Sequence, residues 1–308
     1  MRIEIEGDAS AGGWPVPDCG CASCGSAAAA PHAAFRVRVD GVPLDRLEAA
    51  PVPGGCEVRA PSGALLLCAA PGGLPEPVSD STFAAVLLDL LADPFHLGAL
   101  RARGAVGAGT AVYAVHVDHR VRNEAELARR LEFWRRPPTG RTLLLGGSRS
   151  GKSAEAELRL SGHPRVTYVA TGPVADSDPD WARRVGAHRE RRPAHWGTLE
   201  TTDLVSLLSK ERDALLIDGL GTWLAATMDT AGAWDSPEAA LPHLDALVSA
   251  WRATRATVVA VTDEVGLSLV PETRSGRLFR DLLGALNQRL ADASESVALV
   301  VAGRVLPL

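Results

Sequence analysis

The fold of the second half of this chain is predicted from one octapeptide, Gly146-Gly147-Ser148-Arg149-Ser150-Gly151-Lys152-Ser153. It fits the phosphate-loop pattern G-x-x-x-x-G-K-[ST], follows an apolar run at 142–145 and opens a helical pattern at 152–160. Glycines let consecutive backbone N–H groups turn towards a phosphate, and the helix start adds partial positive charge. We therefore expect all eight residues to bind a nucleotide, with Lys152 at the β- and γ-phosphates and Ser153 on Mg²⁺. The alternative is a chance glycine turn before a helix.

Apolar runs alternate with helical patterns on both sides of this loop. The predicted strands are 142–145, 166–170, 214–217, 258–261 and 297–301, and the predicted helices are 152–160, 180–189, 239–252 and 276–293. Continuous apolar strands joined by helices are typical of a parallel sheet covered on both faces. We therefore predict an α/β fold of the P-loop NTPase type, RecA-like, for residues 141–308.

A carboxylate follows the third apolar run of this half. Asp218 ends the run Ala214-Leu-Leu-Ile-Asp218, where P-loop folds place the carboxylate that orients Mg²⁺. The alternative is an aspartate that merely begins a turn with Gly219. We expect Asp218 to act with Ser153 at the metal.

Residues 1–136 are rich in glycine and proline, unlike the second half, and lead into a Pro/Gly linker at 136–141. Short runs at 2–5, 34–39, 56–60 and 64–69 predict strands, because polar and apolar residues alternate or apolar residues cluster there. Apolar residues at three- and four-residue steps predict helices at 80–91 and 124–134. We expect a smaller α+β accessory domain at 1–136 that precedes the P-loop domain.

Composition and charge exclude several classes of protein. The chain has 308 residues with a net charge of −5, and neither half is basic, so a large nucleic-acid-binding surface is not expected. The amino terminus is acidic without an apolar run, and no stretch reaches the roughly 20 apolar residues of a membrane helix. Five cysteines, an odd number, favour a reducing compartment. We expect a soluble, cytoplasmic protein.

Three cysteines stand close together near the start of the chain. Cys19, Cys21 and Cys24 form a C-x-C-x-x-C cluster, which could supply three corners of a tetrahedral Zn²⁺ site with a fourth ligand from elsewhere. The alternative is a loop of free thiols. A structural Zn²⁺ site here is a hypothesis of equal weight to that alternative.

The first 120 residues are weakly similar to the start of a metallo-β-lactamase-fold domain. The resemblance rests on a Gly-rich first turn, the cysteine cluster and Ala114-Val-His116-Val-Asp118-His119, in which Ala114 replaces the first histidine of the H-x-H-x-D-H motif. A two-metal hydrolase needs more ligands than these. The resemblance therefore implies a truncated domain that is not catalytic.

Residues 142–308 resemble the bifunctional adenosylcobinamide kinase / adenosylcobinamide-phosphate guanylyltransferase family of cobalamin biosynthesis. The resemblance extends in order through the whole half. Its blocks are the phosphate loop, Tyr168-Val-Ala-Thr171, the segment 182–196, Val261-Thr-Asp-Glu264-Val-Gly266, Val270-Pro271-Glu272, the helix segment 279–291 and Val300-Val-Ala-Gly303.

The resemblance implies two reactions. The first phosphorylates the aminopropanol hydroxyl of adenosylcobinamide with ATP or GTP, between which the sequence leaves the choice open. The second transfers GMP from GTP to adenosylcobinamide phosphate through a guanylylated histidine and gives adenosylcobinamide-GDP. The family also implies a homotrimer.

His188 is the best candidate for that nucleophile, because it stands in the R-V-x-x-H-R spacing from Arg184. A neutral imidazole is a competent nucleophile near pH 7. Without the resemblance, a solvated helix-face histidine is the better interpretation. His195, beside Trp196, is expected to be structural.

The resemblance also implies further contacts with the nucleotide. Thr171, Gly172 and Pro173 would lie beside the nucleotide, and Arg192, Pro193 and Glu200 would frame the guanine or ribose. Two other functions stay open from the residues alone. These are a P-loop kinase for another small molecule, and a nucleotide-binding regulatory protein whose first half senses metal or binds a partner.

Overall fold

A computed structural model describes residues 1–78, 80–172, 192–211 and 213–308. The chain folds into two compact units, one of Met1–Pro137 with Ser161–Pro164 and the other of Pro138–Leu160 with Arg165–Leu308. That residues 1–136 and 141–308 are separate domains stays a prediction. Among the described residues, no helix is both long enough and apolar enough to cross a bilayer.

The described residues of the N-terminal unit form two sheets and three α-helices. One sheet has the order β1-β2-β3 and the other has the order β4-β5-β6-β7-β8. The strands are β1 Ile3–Glu6, β2 Arg36–Val39, β3 Val42–Pro43, β4 Glu48–Val52, β5 Gly55–Arg59, β6 Leu65–Ala69, β7 Ala85–Leu88 and β8 Ala111–Ala114. The helices are α1 Ala22–Ala27, α2 His96–Ala102 and α3 Glu124–Arg135.

The helix predicted at 80–91 is wrong. Residues Ala85–Leu88 instead form β7, which pairs in parallel with β6 and with β8. All four of its residues are buried, because an inner strand of a parallel sheet is covered on both faces. Such a strand is a continuous apolar run, and a short apolar run cannot be told from a buried helix by periodicity. The helix predicted at 124–134 is confirmed as α3.

The C-terminal unit is built on a mixed seven-stranded sheet of order β11-β10-β12-β13-β9-β14-β15. Every strand pair is parallel except β14–β15. The strands are β9 Arg141–Gly146, β10 Val166–Ala170, β11 Gly197–Glu200, β12 Ala214–Asp218, β13 Val258–Asp263, β14 Ser296–Val301 and β15 Arg304–Pro307. The helices are α4 Lys152–Arg159, α5 Leu204–Lys210, α6 Leu220–Ala231, α7 Leu241–Ala253 and α8 Arg274–Ala291.

This strand order positions the functional residues. Strand β9, which leads into the phosphate loop, lies between β13 and β14, while β12 lies beyond β13. Parallel strands end at the same edge of a sheet, so Gly146, Asp218 and Asp263 all reach one edge. The predicted helix at 180–189 lies outside the described residues.

Candidate active site

The phosphate loop connects the end of β9 to the start of α4 and requires glycine at two close approaches. Gly151 has a φ of +96°, and a Cβ atom there would lie 3.2 Å from Gly303 Cα. A Cβ atom on Gly146 would lie 2.6 Å from Val300 O. The turn after β14 is held against the loop, since the Gly303 N–H donates to Ser150 O at 2.7 Å. The loop backbone is therefore fixed by the turn that follows the neighbouring strand. The first N–H groups of α4 have no hydrogen-bond partner within the helix and can donate to a ligand.

Lys152 forms an ion pair at the edge of the sheet. Its Nζ lies 2.9 Å from Asp263 Oδ1 and donates to Gly147 O at 3.0 Å. Sequence analysis assigned no role to Asp263, although it ends an apolar strand as Asp218 does. The contact depends on β13 lying next to β9, which the sequence does not state.

Ser153 and Asp218 are in direct contact, while their binding of Mg²⁺ stays a prediction. The Ser153 hydroxyl donates to Asp218 Oδ1 at 3.2 Å, and the Tyr168 hydroxyl donates to the other carboxylate oxygen, Oδ2. Burial and the charge of Asp218 raise the pKa of Tyr168, so the phenol keeps its proton. Asp218 is therefore oriented from two sides. Tyr168 is a positioning residue for which the sequence analysis had no role.

Arg192 extends this arrangement. Its guanidinium carbon lies 3.4 Å from the centre of the Tyr168 ring, and its NH1 donates to Thr198 Oγ1 at 3.2 Å. Pro193 follows it, and Glu200 lies opposite Ala170 in the β10–β11 register with an exposed side chain. The structure thus brings Arg192 to the side of Asp218, while contact of Arg192, Pro193 and Glu200 with a guanine or ribose stays a prediction.

Thr171 braces the loop after β12. Its buried hydroxyl donates to Gly219 O at 2.6 Å and lies 2.7 Å from Thr222 Oγ1. Thr171 therefore holds the backbone that follows Asp218, with Gly172 next along the chain. Nucleotide contact by Thr171 and Gly172 stays a prediction. Pro173 and the proposed nucleophile His188 lie outside the described residues.

Asn287 on α8 fixes the end of β13. It accepts a hydrogen bond from Thr262 Oγ1 at 2.7 Å and donates to Asp263 O at 3.1 Å. Because Asn287 and Thr262 are buried, these bonds replace water for their side chains. Asn287 thereby positions the backbone that carries Asp263 to Lys152.

His195 and Trp196 are in contact, but their rings are not stacked as expected. The two rings meet edge to face with centroids 6.4 Å apart, and Trp196 is buried. A structural role for His195 stays a prediction.

The side chains of His116, Asp118 and His119, which carry the metallo-β-lactamase resemblance, do not face one common site. His116 donates through Nε2 to Ala69 O, and Asp118 accepts a hydrogen bond from Arg120 at 2.8 Å. His119 faces Cys19, Cys21 and Cys24, and the ligand atoms of these four residues all lie within 4.8 Å of one another. The three residues of the weak metallo-β-lactamase resemblance thus have three different surroundings, and that resemblance stays a prediction.

Comparison with known proteins places the C-terminal unit in a family. Residues 142–308 match the family described as cobinamide kinase / cobinamide phosphate guanyltransferase. The bifunctional adenosylcobalamin biosynthesis protein CobU of Salmonella typhimurium is 38% identical over 174 residues, which cover 52% of this chain and 95% of that protein. The CobU protein of Escherichia coli is 35% identical over 174 residues, with 52% and 95% covered. The CobP protein of Pseudomonas aeruginosa is 37% identical over 173 residues, with 54% and 96% covered.

These matches run through the phosphate loop, the strand that ends at Asp218 and the strand that ends at Asp263. They cover the relatives almost from end to end and more than half of this chain. The chain belongs to the cobinamide kinase / cobinamide phosphate guanyltransferase family.

Proposed function

We propose that this chain phosphorylates adenosylcobinamide and then converts adenosylcobinamide phosphate to adenosylcobinamide-GDP. The observation that carries the proposal is the sheet edge beside the phosphate loop, inside the region that matches the family, where Lys152 pairs with Asp263 and Ser153 with Asp218. We infer a P-loop NTPase fold of the RecA-like type, which agrees with a strand inserted between β9 and β12.

The residues at this edge fit Mg²⁺. Ser153 and Asp218 offer a hydroxyl and a carboxylate oxygen 3.2 Å apart, and Mg²⁺ prefers such hard oxygen ligands. We propose that these two residues hold the ion together with nucleotide phosphates. When bound, Mg²⁺ neutralises charge on those phosphates.

In the kinase step, the phosphate loop binds and orients the triphosphate. The aminopropanol hydroxyl of adenosylcobinamide attacks the γ-phosphorus and gives its proton to water, a new O–P bond forms, and the bond to the β–γ bridging oxygen breaks. The loop N–H groups and Lys152 stabilise the charge that develops on the departing diphosphate. Lys152 must then exchange Asp263 for phosphate oxygens, which a compact ammonium on a flexible stem can do.

In the guanylyl transfer, His188 is the proposed nucleophile. Its imidazole nitrogen attacks the α-phosphorus of GTP, an N–P bond forms, and pyrophosphate leaves. A phosphate oxygen of adenosylcobinamide phosphate then attacks the same phosphorus and releases His188. Support for His188 comes from its spacing in the family segment 182–196. Arg192, four residues further on, lies beside the Tyr168–Asp218 pair.

Labelling with α-³²P-GTP tests this proposal. We expect the protein to acquire a covalent, acid-labile label that His188→Ala abolishes, because only a phosphoramidate to that histidine is formed. His195→Gln is the matched control, seven residues away in the same segment, and should still label. Lys152→Ala should lower both activities by about 100-fold or more, as loss of a group that stabilises developing charge does.

Two results would contradict the proposal. A wild-type protein that turns over neither step and never labels would exclude the guanylyltransferase assignment. Cobinamide phosphorylation that survives Lys152→Ala unchanged would exclude the phosphate loop as the kinase site.

A further inference from the structure

The N-terminal unit contains a cluster of four soft or borderline ligands from distant parts of the chain. Cys19 precedes helix α1, Cys21 caps it, and Cys24 lies within it, whereas His119 follows strand β8. His119 Nδ1 lies 3.3 Å from Cys19 Sγ, 3.9 Å from Cys21 Sγ and 3.7 Å from Cys24 Sγ. Sequence analysis named the three cysteines, and the structure adds the histidine.

These distances match one particular coordination sphere. Zn–S and Zn–N bonds in a tetrahedral site place a sulfur about 3.6 Å from the nitrogen ligand and two sulfurs about 3.8 Å apart. The three observed S···N distances fall on both sides of that value. Three thiols around one imidazole nitrogen is the arrangement of a metal site, and side-chain packing alone gives no reason for it.

Hydrogen bonds outside the four side chains hold the two segments in place. Trp14 donates through Nε1 to Ser23 Oγ at 3.1 Å, and Ser23 donates to Val121 O at 2.5 Å. The Ser10 N–H donates to Val117 O at 3.0 Å. Both segments therefore meet around the cluster through contacts that do not involve a ligand atom, as a preorganised site needs.

Two backbone groups also point at the sulfurs. The Val16 N–H donates to Cys24 Sγ at 3.3 Å and the Cys24 N–H donates to Cys21 Sγ at 3.4 Å. Backbone donors of this kind stabilise negative charge on a sulfur, and zinc is bound by the thiolate. Asp118, next to His119, forms an ion pair with Arg120 and is not one of the proposed ligands.

We propose that Cys19, Cys21, Cys24 and His119 bind one Zn²⁺ ion with a structural role. Four protein ligands complete a tetrahedron and leave no open position for water or substrate, which separates a structural zinc site from a catalytic one. The ion joins residues about 100 positions apart, so its binding contributes to the folding of the N-terminal unit. The proposal is independent of the reactions assigned to the C-terminal unit.

The test is metal analysis of the full chain, purified with a reductant and without chelator. We expect one zinc per chain. After removal of zinc, titration with Co²⁺ should give an intense thiolate-to-metal band in the near ultraviolet and the visible bands of tetrahedral Co²⁺. Cys21→Ser and His119→Ala should weaken metal binding by at least about 100-fold, more than loss of an outer-shell partner does.

Cys56→Ser is the matched control. Cys56 lies on β5 opposite Cys68 and is not part of the cluster, so this variant should keep both the zinc and the cobalt bands. A wild-type chain with neither zinc nor cobalt bands would overturn the proposal, whatever the variants do. An unchanged cobalt spectrum in His119→Ala would overturn the four-ligand site. Guanylylation by α-³²P-GTP is read separately, so failure here leaves the proposed function untouched.

Discussion

Lys152 is one of only two lysines in a chain that otherwise uses arginine, and its contacts give a reason. Its ammonium fits between Asp263 Oδ1 and Gly147 O, both within 3.0 Å. A planar guanidinium needs a wider site and a fixed fork of partners. The second lysine, Lys210, ends helix α5, and nothing in the structure explains its retention.

Tyr168 offers the sharpest prediction at the scale of a single residue. In Tyr168→Phe, Asp218 loses the donor to Oδ2 while the hydrogen bond from Ser153 to Oδ1 remains, so its orientation at the metal is less well defined. We expect the Mg²⁺ concentration for half-maximal kinase activity to rise about 10-fold, as loss of an outer-shell partner does. Magnesium titrations at saturating nucleotide measure this, and excess Mg²⁺ should restore the rate.

The chain's other tyrosine provides the control for that experiment. Tyr113 lies on β8 in the N-terminal unit, so Tyr113→Phe should leave the magnesium dependence as in the wild type. A Tyr168→Phe protein with unchanged magnesium dependence would show that the Tyr168 hydroxyl does not orient Asp218 at the metal.

Local sequence predicts some of these site residues and not others. Lys152, Ser153 and Asp218 follow from patterns within a few residues of each, namely a glycine loop and a strand end. Asp263 and Tyr168 reach the site only because β13 lies beside β9 and β10 lies beside β12. The spacing of residues along the sequence does not determine the order of strands in a sheet. These two contacts therefore could not be predicted from the sequence pattern.

Among the elements, the buried strands of the C-terminal sheet were the most predictable. The strands around 142–145, 166–170, 214–217, 258–261 and 297–301 are all present. Strand β11 was missed because its four residues are exposed and give no apolar run. Strand β7 was mistaken for a helix for the opposite reason, since all of it is buried.

One ion pair joins the starts of two central strands and gives a prediction about pH. Glu295, just before β14, accepts hydrogen bonds from the backbone N–H and the guanidinium of Arg141, at the start of β9. These bonds hold the pKa of Glu295 at about 2, well below its ordinary value. A lowered pKa contributes stability that is present above the unfolded-state pKa and is lost as the pH falls towards the folded-state value.

We therefore expect Glu295→Gln to unfold at lower temperature than the wild type at pH 7 and to differ less from it as the pH approaches 3. Thermal unfolding between pH 7 and pH 3 measures the difference. The pair is partly exposed, so the effect at pH 7 should be small, about 1 kcal/mol. A gap between the two proteins that widens on acidification would contradict the assigned sign.

Across the chain, the described residues form apolar cores within each of the two units. One core joins the C-terminal sheet to α5, α6, α7 and α8, while two others lie within the N-terminal unit. A ligand stabilises the structure that binds it, by about 2.7 kcal/mol at 100 times its Kd. We expect GTP with Mg²⁺ to slow hydrogen exchange in β9, β12 and β13 and to leave β4–β8 unchanged.

Hydrogen–deuterium exchange with and without nucleotide measures this difference strand by strand. Zinc should have the opposite effect on hydrogen exchange. It should slow exchange in residues 14–27 and 115–121 and leave exchange in β9 unchanged. Equal protection of the N-terminal sheet by GTP would show that the nucleotide site is not confined to the C-terminal unit.

The turn at Gly303 has a consequence for how this protein is made. The Gly303 N–H bonds to Ser150 O, and Gly303 Cα would lie only 3.2 Å from a Cβ atom on residue 151. On the ribosome, residues 146–153 emerge long before that turn exists. A nascent chain therefore carries an incomplete phosphate loop throughout synthesis of the intervening helices and strands, and gains its nucleotide pocket only when the strand β14 and its turn have been translated.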